Sequence, residues 1–311
     1  YRTRPWVGLG LSLLINVLVF GISLLLYAEY SVIVFLTPMV FSVGFVTIIL
    51  FPYELSRERS HNLQERTRLA TELKAAREMQ LGLMPRQDPV VKGFEISGIC
   101  VPASEVGGDF YDFVWLDNKQ TKLGIALADV SGKAMKAAMT AVMTSGMLYS
   151  EAAKSKSPRE ILARINRPLY LRSDRRVFTA LSFAVLDTKA KKLTYSSAGQ
   201  SQPILIRDGT LTYLKTQGVR LPLGIKEDNK YRDFHLKLRS GDTVVFYTDG
   251  VPEAMNTENK FYGFERFEGL LRQHKALGAK ELREKIVENV QSFAGKTEQP
   301  DDMTVVVVKV V

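Results

Sequence analysis

A chain of 311 residues with 46% hydrophobic and 24% charged side chains excludes a disordered or collagen-like protein and can hold two average domains. The net charge of +9 is unevenly spread: +7 falls on residues 85–311, whereas Glu29 is the one charged side chain between Pro5 and Tyr53. A single cysteine, Cys100, excludes a disulfide framework and a multi-cysteine zinc site, and His61, His235 and His274 lie far apart in sequence, so carboxylates are left to carry the chemistry.

In chain order, residues 6–28 and 30–53 are two charge-free runs of 23 and 24 residues. About 20 apolar residues suffice to span a bilayer. Glu29, between Tyr27 and Tyr30, suits a turn at the water interface, so residues 1–53 are expected to form a transmembrane hairpin. Arg2 and Arg4 before it, with Arg57 and Arg59 after it, place both outer ends in the cytoplasm by the positive-inside rule, with anionic lipid as a neighbour. The chain opens on Tyr1 and not Met, so an upstream segment, such as a sensor domain, is also expected.

Residues 54–84 are expected to be one polar helix, because no Gly occurs before Gly82 and no Pro before Pro85. Leu69, Leu73, Ala76 and Leu83 fit a 4-3 apolar spacing that Gln80 interrupts. Two readings stand: a solvated connector, or a signalling helix that pairs two chains into a homodimer. His61 on this helix suggests a sensor histidine kinase, but the glycine-rich ATP boxes and a P-loop are both missing downstream.

From residue 85 to 311 the pattern is of short apolar strands: 94–101, 110–117, 122–130, 178–186, 193–197, 203–207, 211–214, 243–248 and 303–310. Asp208-Gly209 makes a hairpin between two of them. Helices are expected near 133–154, 158–171, 263–274 and 278–293. Short turns between neighbouring strands predict an α+β protein, an antiparallel β-sandwich with helices packed outside. Without zinc-finger spacing or an aromatic RNP-type motif, nucleic acid is not expected as a partner.

Aspartates mark the strand ends. Asp109 and Asp112 lie in Gly107-Gly108-Asp109-Phe110-Tyr111-Asp112, and Asp129 precedes Val130-Ser131-Gly132-Lys133. Asp249 stands in Thr248-Asp249-Gly250-Val251-Pro252-Glu253-Ala254, and Asp301-Asp302-Met303-Thr304 opens the last strand. One such aspartate merely ends a strand. Four places of this kind can converge, and like charges that converge require a cation; oxygen ligands without His or Cys select Mg²⁺ or Mn²⁺.

In this order the four motifs resemble those of the metal-dependent (PPM, protein phosphatase 2C-like) serine/threonine phosphatases, most closely the SpoIIE/RsbU-type bacterial branch. Residues 78–85, Glu-Met-Gln-Leu-Gly-Leu-Met-Pro, are similar to that branch's leading helix. The resemblance implies a PPM-like sandwich with two Mn²⁺ or Mg²⁺ ions. Asp129 would bridge them with the Val130 carbonyl in support, Asp249 and Asp301 would complete one ion and Asp109 the other, with Asp302 beside them. The catalytic pair, Asp129 and Asp249, would act through a metal-held water, with no side-chain nucleophile. The implied substrate is a phosphoserine or phosphothreonine protein of the anti-sigma-factor-antagonist type, and the implied location is a bacterial inner membrane with the phosphatase domain cytoplasmic. Two departures are Ala134 and Gln200, where the branch usually has Gly and His. A degenerate domain that only senses or scaffolds is the competing reading. Cyclase activity, which Gly-Gly-Asp-Phe brings to mind, lacks its second acidic residue because position 110 is Phe.

Overall fold

The computed structural model describes residues 5–30, 37–103, 107–132, 135–172 and 177–311. It separates into two compact units, Tyr1–Glu72 and Leu73–Val311.

The first unit holds α1 (Pro5–Tyr30) and most of α2 (Thr37–Leu81). Among the described residues no helix is long and apolar enough to cross a membrane, which corrects the expected two-span hairpin. Between Thr37 and Tyr53 the apolar part of α2 runs for roughly 17 residues, about 25 Å, against about 30 Å of hydrocarbon. Beyond Tyr53 the same helix continues into charged sequence with no break, so the expected span and linker are one element. Residues 31–36 of that span lie outside the described ones, and Glu29 sits in the last turn of α1, where an interfacial turn was expected. Without a span among the described residues the positive-inside argument has nothing to orient. The inner-membrane location falls with the hairpin.

The second unit packs two antiparallel five-stranded sheets between helices. One sheet has the order β1 (Phe94–Val101), β10 (Met303–Val310), β9 (Thr243–Tyr247), β6 (Ile204–Arg207), β7 (Thr210–Tyr213). The other runs β2 (Phe110–Trp115), β3 (Lys122–Val130), β4 (Thr179–Asp187), β5 (Lys192–Ala198), β8 (Phe234–Lys237). Period-two alternation explains the layers. In β3, Leu123, Ile125 and Leu127 face the inter-sheet core, while Ala126, Ala128 and Val130 pack under α3 (Met135–Ala152) and α4 (Pro158–Arg172). In β10, Val306, Val308 and Val310 face inward, while Met303, Val305 and Val307 meet α5 (Gly263–Gln273) and α6 (Ala279–Ala294). Both faces of β3 and β10 are therefore covered, which is why those strands read as unbroken apolar runs.

The predicted strands occur with end shifts of a few residues. Asp208 and Gly209, both at positive φ, turn β6 into β7. The strand β8 was not expected: Phe-His-Leu-Lys is short, half polar and an edge, so its alternation is too weak to read.

Candidate active site

Strand register brings the aspartates to one end of the sandwich. Phe110 pairs with Ala128, so Asp109 and Asp129 come together where β2 begins and β3 ends. Val305 pairs with Tyr247, and Thr248 N–H donates to the Thr304 carbonyl at 3.0 Å, which places Asp249 against the start of β10.

Asp109 ties the two sheets together. It is buried, and its Oδ2 accepts from Thr248 Oγ1 at 2.8 Å and Thr304 Oγ1 at 2.7 Å. Asp302 is a clasp. Its Oδ2 accepts from the backbone amides of Gly108 (2.7 Å) and Asp109 (3.1 Å), and its Oδ1 from that of Ala103 (2.8 Å). Asp301 Oδ1 accepts from the Asp302 amide at 2.8 Å. The glycines are steric requirements: a Cβ on Gly108 would overlap the Val130 carbonyl, and one on Gly250 the Asp302 carbonyl.

Electrostatics join what hydrogen bonds do not. Burial, then the charges of Asp249, Asp301, Asp302 and Glu253, push the Asp129 carboxyl up to about 7. Burial followed by the charges of Asp129 and Asp302 raises Asp109 well above the carboxylate range, against the two threonine hydroxyls. Asp249 is raised by burial, and Glu253 by burial and by Asp249 and Asp301. Asp112 is also raised, to about 6, but by burial alone, and it stays out of this group. Cys100, with its Sγ 4.0 Å from the Asp109 carbonyl, is raised by burial and then by Asp109, so its thiol is protonated and inert.

The donor chemistry fits a hard divalent cation: clustered carboxylates and a backbone carbonyl, with Asp109, Asp129 and Asp249 in no ion pair among the described residues. The ligands are not gathered, however. Among the described residues no group of three or more His, Cys, Asp or Glu side chains is placed to hold an ion. Thr248 and Thr304 hold Asp109, and Asp302 is spent on backbone amides. Ala134, one of the two departures, lies outside the described residues.

Three participants were missed in the sequence. Thr248 and Thr304 sat inside the aspartate motifs, as hydroxyls at the ends of apolar strands. The third is Gln80. It is buried, its Nε2 donates to the Asp109 carbonyl at 2.9 Å, and its Oε1 accepts from the Gly107 amide at 3.0 Å. Its signal was the break in the apolar stripe: Leu73 and Ala76 pack with Ala138 of α3, and Gln80, next along the same face, meets the Asp109 loop. Replacing Gln80 by Ala strips two hydrogen bonds from a buried loop. We expect a loss of about 1–3 kcal/mol in stability and a higher Mn²⁺ concentration for half-maximal turnover, read by thermal melting and by metal titration.

The raised carboxylates also set a pH dependence. A carboxyl that binds its proton more tightly folded than unfolded stabilises the fold in its protonated form, so stability falls as pH rises from near 4 towards Asp129's value of about 7. A cation held by these carboxylates would take the place of those protons. The metal-free protein should therefore melt several degrees lower at pH 8 than at pH 5, and Mn²⁺ should raise the melting temperature far more at pH 8. Parallel melts at the two pH values check both signs.

A two-sheet sandwich with outer helices and an acidic end is the architecture of PP2C-type phosphatases, and comparison with known proteins supplies the family. Residues 119–311 match the family model described as Stage II sporulation protein E (SpoIIE), and the chain belongs to that family. The phosphoserine phosphatase RsbU of Bacillus subtilis is 27% identical over 272 residues, 86% of this chain and 79% of that protein. Among solved structures, the SiaA-PP2C domain of Pseudomonas aeruginosa superposes with a TM-score of 0.69 at 22% identity, over 79% of this chain and 99% of that one. RsbX, solved in complex with magnesium, gives 0.51 at 18% identity, over 72% and 99%. The chain is a PP2C-type serine/threonine phosphatase.

Proposed function

We propose that the protein hydrolyses phosphoserine or phosphothreonine on a regulatory protein of the anti-sigma-factor-antagonist type, with two Mg²⁺ or Mn²⁺ ions held at the acidic end of the sandwich. The observation that carries the reading is the convergence of charge on Asp129: burial, then Asp249, Asp301, Asp302 and Glu253 raise it, while burial, then Asp129 and Asp302 raise Asp109. A carboxylate shielded from water and repelled by its neighbours, as Asp129 is, holds its charge most readily beside a cation.

Asp129, Asp249 and Asp301 would hold one ion, and Asp129 with Asp109 the other, with the Val130 carbonyl in support. When bound, such ions supply a Lewis acid for the phosphoryl oxygens and lower the pKa of a water. The chain's own contribution is position. Asp302 fixes the Gly108–Asp109 backbone, while Thr248 and Thr304 orient the Asp109 carboxylate. Cys100 is half-buried beside the loop, with its thiol pushed up and held protonated, which supports water, and no side chain, as the nucleophile.

The test is phosphate release from phosphorylated anti-sigma-factor antagonists and unrelated phosphoproteins, with Mn²⁺ and with Mg²⁺. Release from the first group and not the second supports the substrate class. The second reading, a phosphatase-like scaffold, is favoured by one observation: no group of three ligands stands ready among the described residues. Binding of those phosphoproteins without release would establish it.

A further inference from the structure

Beside the acidic end lies a cavity of about 460 Å³ that the catalytic reading leaves unused. Its lining includes Gly199 and Gln200 at the end of β5, Tyr247 at the end of β9, and Tyr213 and Phe264 as aromatic walls, with Lys215 and Arg220 completing it. It shares the end of the sandwich with the aspartates: Tyr247 is two residues before Asp249, and β5 leaves its sheet after Ala198, which pairs with Leu181, the neighbour of the Ala180 that pairs with Asp129.

Three observations point to a ligand. Gln200 is 3% exposed, and its Nε2 has no hydrogen-bond partner among the described residues, while its Oε1 accepts from the Ser201 amide at 2.7 Å. A buried amide donor left unpaired is costly, and a ligand acceptor would satisfy it. Neither Lys215 nor Arg220 is in an ion pair among the described residues. Arg220 is held by a neutral group: with its amide turned to satisfy both atoms, Gln202 accepts from both terminal nitrogens at 3.0 and 2.9 Å, which fixes the guanidinium and leaves its charge uncompensated. Among the described residues the one carboxylate bonded to a lining residue, Glu268, takes the Tyr213 hydroxyl at 2.7 Å and the Arg272 guanidinium at 3.0 Å.

We propose that this cavity docks an acidic segment of the phosphoprotein substrate, next to the phosphorylated residue. The proposal rests on the phosphatase reading for the identity of the ligand. Two cations and a buried donor call for carboxylates. The volume exceeds that of a single small anion, and the aromatic walls, including Phe264 at 51% exposure, offer apolar contact for the intervening side chains. The family's usual histidine is replaced here by Gln200, an uncharged donor that presents its N–H at every pH.

Binding separates docking from catalysis. With the full chain in Mg²⁺, fluorescence anisotropy would compare an unphosphorylated Ser peptide flanked by four Glu with its Gln-flanked counterpart. We expect the Glu peptide to bind at least about tenfold more tightly, and the Lys215→Gln/Arg220→Gln variant, with its melting temperature confirmed, to lose about that factor. Arg220→Lys should retain part of it, and Asp129→Asn all of it. Equal binding of the two peptides, an unaltered affinity in the folded double variant, or displacement by equimolar inorganic phosphate would overturn the docking site. Selective binding without turnover of any phosphopeptide would instead sink the phosphatase reading and leave this site standing.

Discussion

Replacing Asp129 by Asn should lower phosphate release by at least about a thousandfold while leaving the metal-free protein as stable as before, or more so. Asn has the same size and keeps an oxygen, but it removes the charge on which all the others act. Asp129 is driven up by burial and by Asp249, Asp301, Asp302 and Glu253 together. Removing that charge relieves a repulsion that the fold sustains for the sake of the cation. At pH 8, where the repulsion is complete, the gain in melting temperature should be largest. Turnover and stability therefore move in opposite directions, a signature that a purely structural aspartate would not give. Asp249→Asn should behave in the same way, to a smaller degree in stability. Phosphate release and thermal melting on the same preparations decide the matter, and a variant that keeps most of its turnover refutes the assignment.

Asp302→Ala should do the reverse in stability. This carboxylate accepts from the amides of Ala103, Gly108 and Asp109, and it is itself buried. Its loss leaves three backbone donors without an acceptor, at about 1–3 kcal/mol each where water cannot replace it. A total loss of roughly 3–5 kcal/mol is expected, with turnover falling too, because the Asp109 loop loses its clasp. Asp302→Asn keeps one acceptor oxygen and should recover part of both. Asp129 and Asp249 thus separate from Asp302 by experiment: one variant set spoils the site, the other the loop that carries it. Urea unfolding of both sets supplies the free energies.

The strands were legible because they alternate or run apolar at lengths of four to nine residues, and because the Asp208-Gly209 turn leaves few registers open. Asp109, Asp129, Asp249, Asp301 and Asp302 were legible as strand-end acids, and the register of β2 with β3 and of β9 with β10 is what sets them at one end of the sandwich. What escaped was long-range. Gln80 read as a fault in an apolar stripe, because nothing local says that a helix face will meet a loop 27 residues on. Thr248 and Thr304 read as strand termini, and only cross-sheet contact makes them Asp109's partners. The expected hairpin failed for a different reason. Charge-free length was read as two spans, whereas α2 starts at Thr37 and carries its apolar part into the charged linker as one helix.

The central claim is that the chain hydrolyses a protein phosphoester with a divalent cation that its strand-end aspartates would hold. Phosphate release from a phosphoserine protein by the full chain, with Mn²⁺ against excess EDTA, tests it most directly. The account predicts steady turnover with Mn²⁺, none with EDTA, and recovery when Mn²⁺ is added back. Turnover that persists in EDTA, or none with either Mn²⁺ or Mg²⁺ on any phosphoprotein, would contradict it.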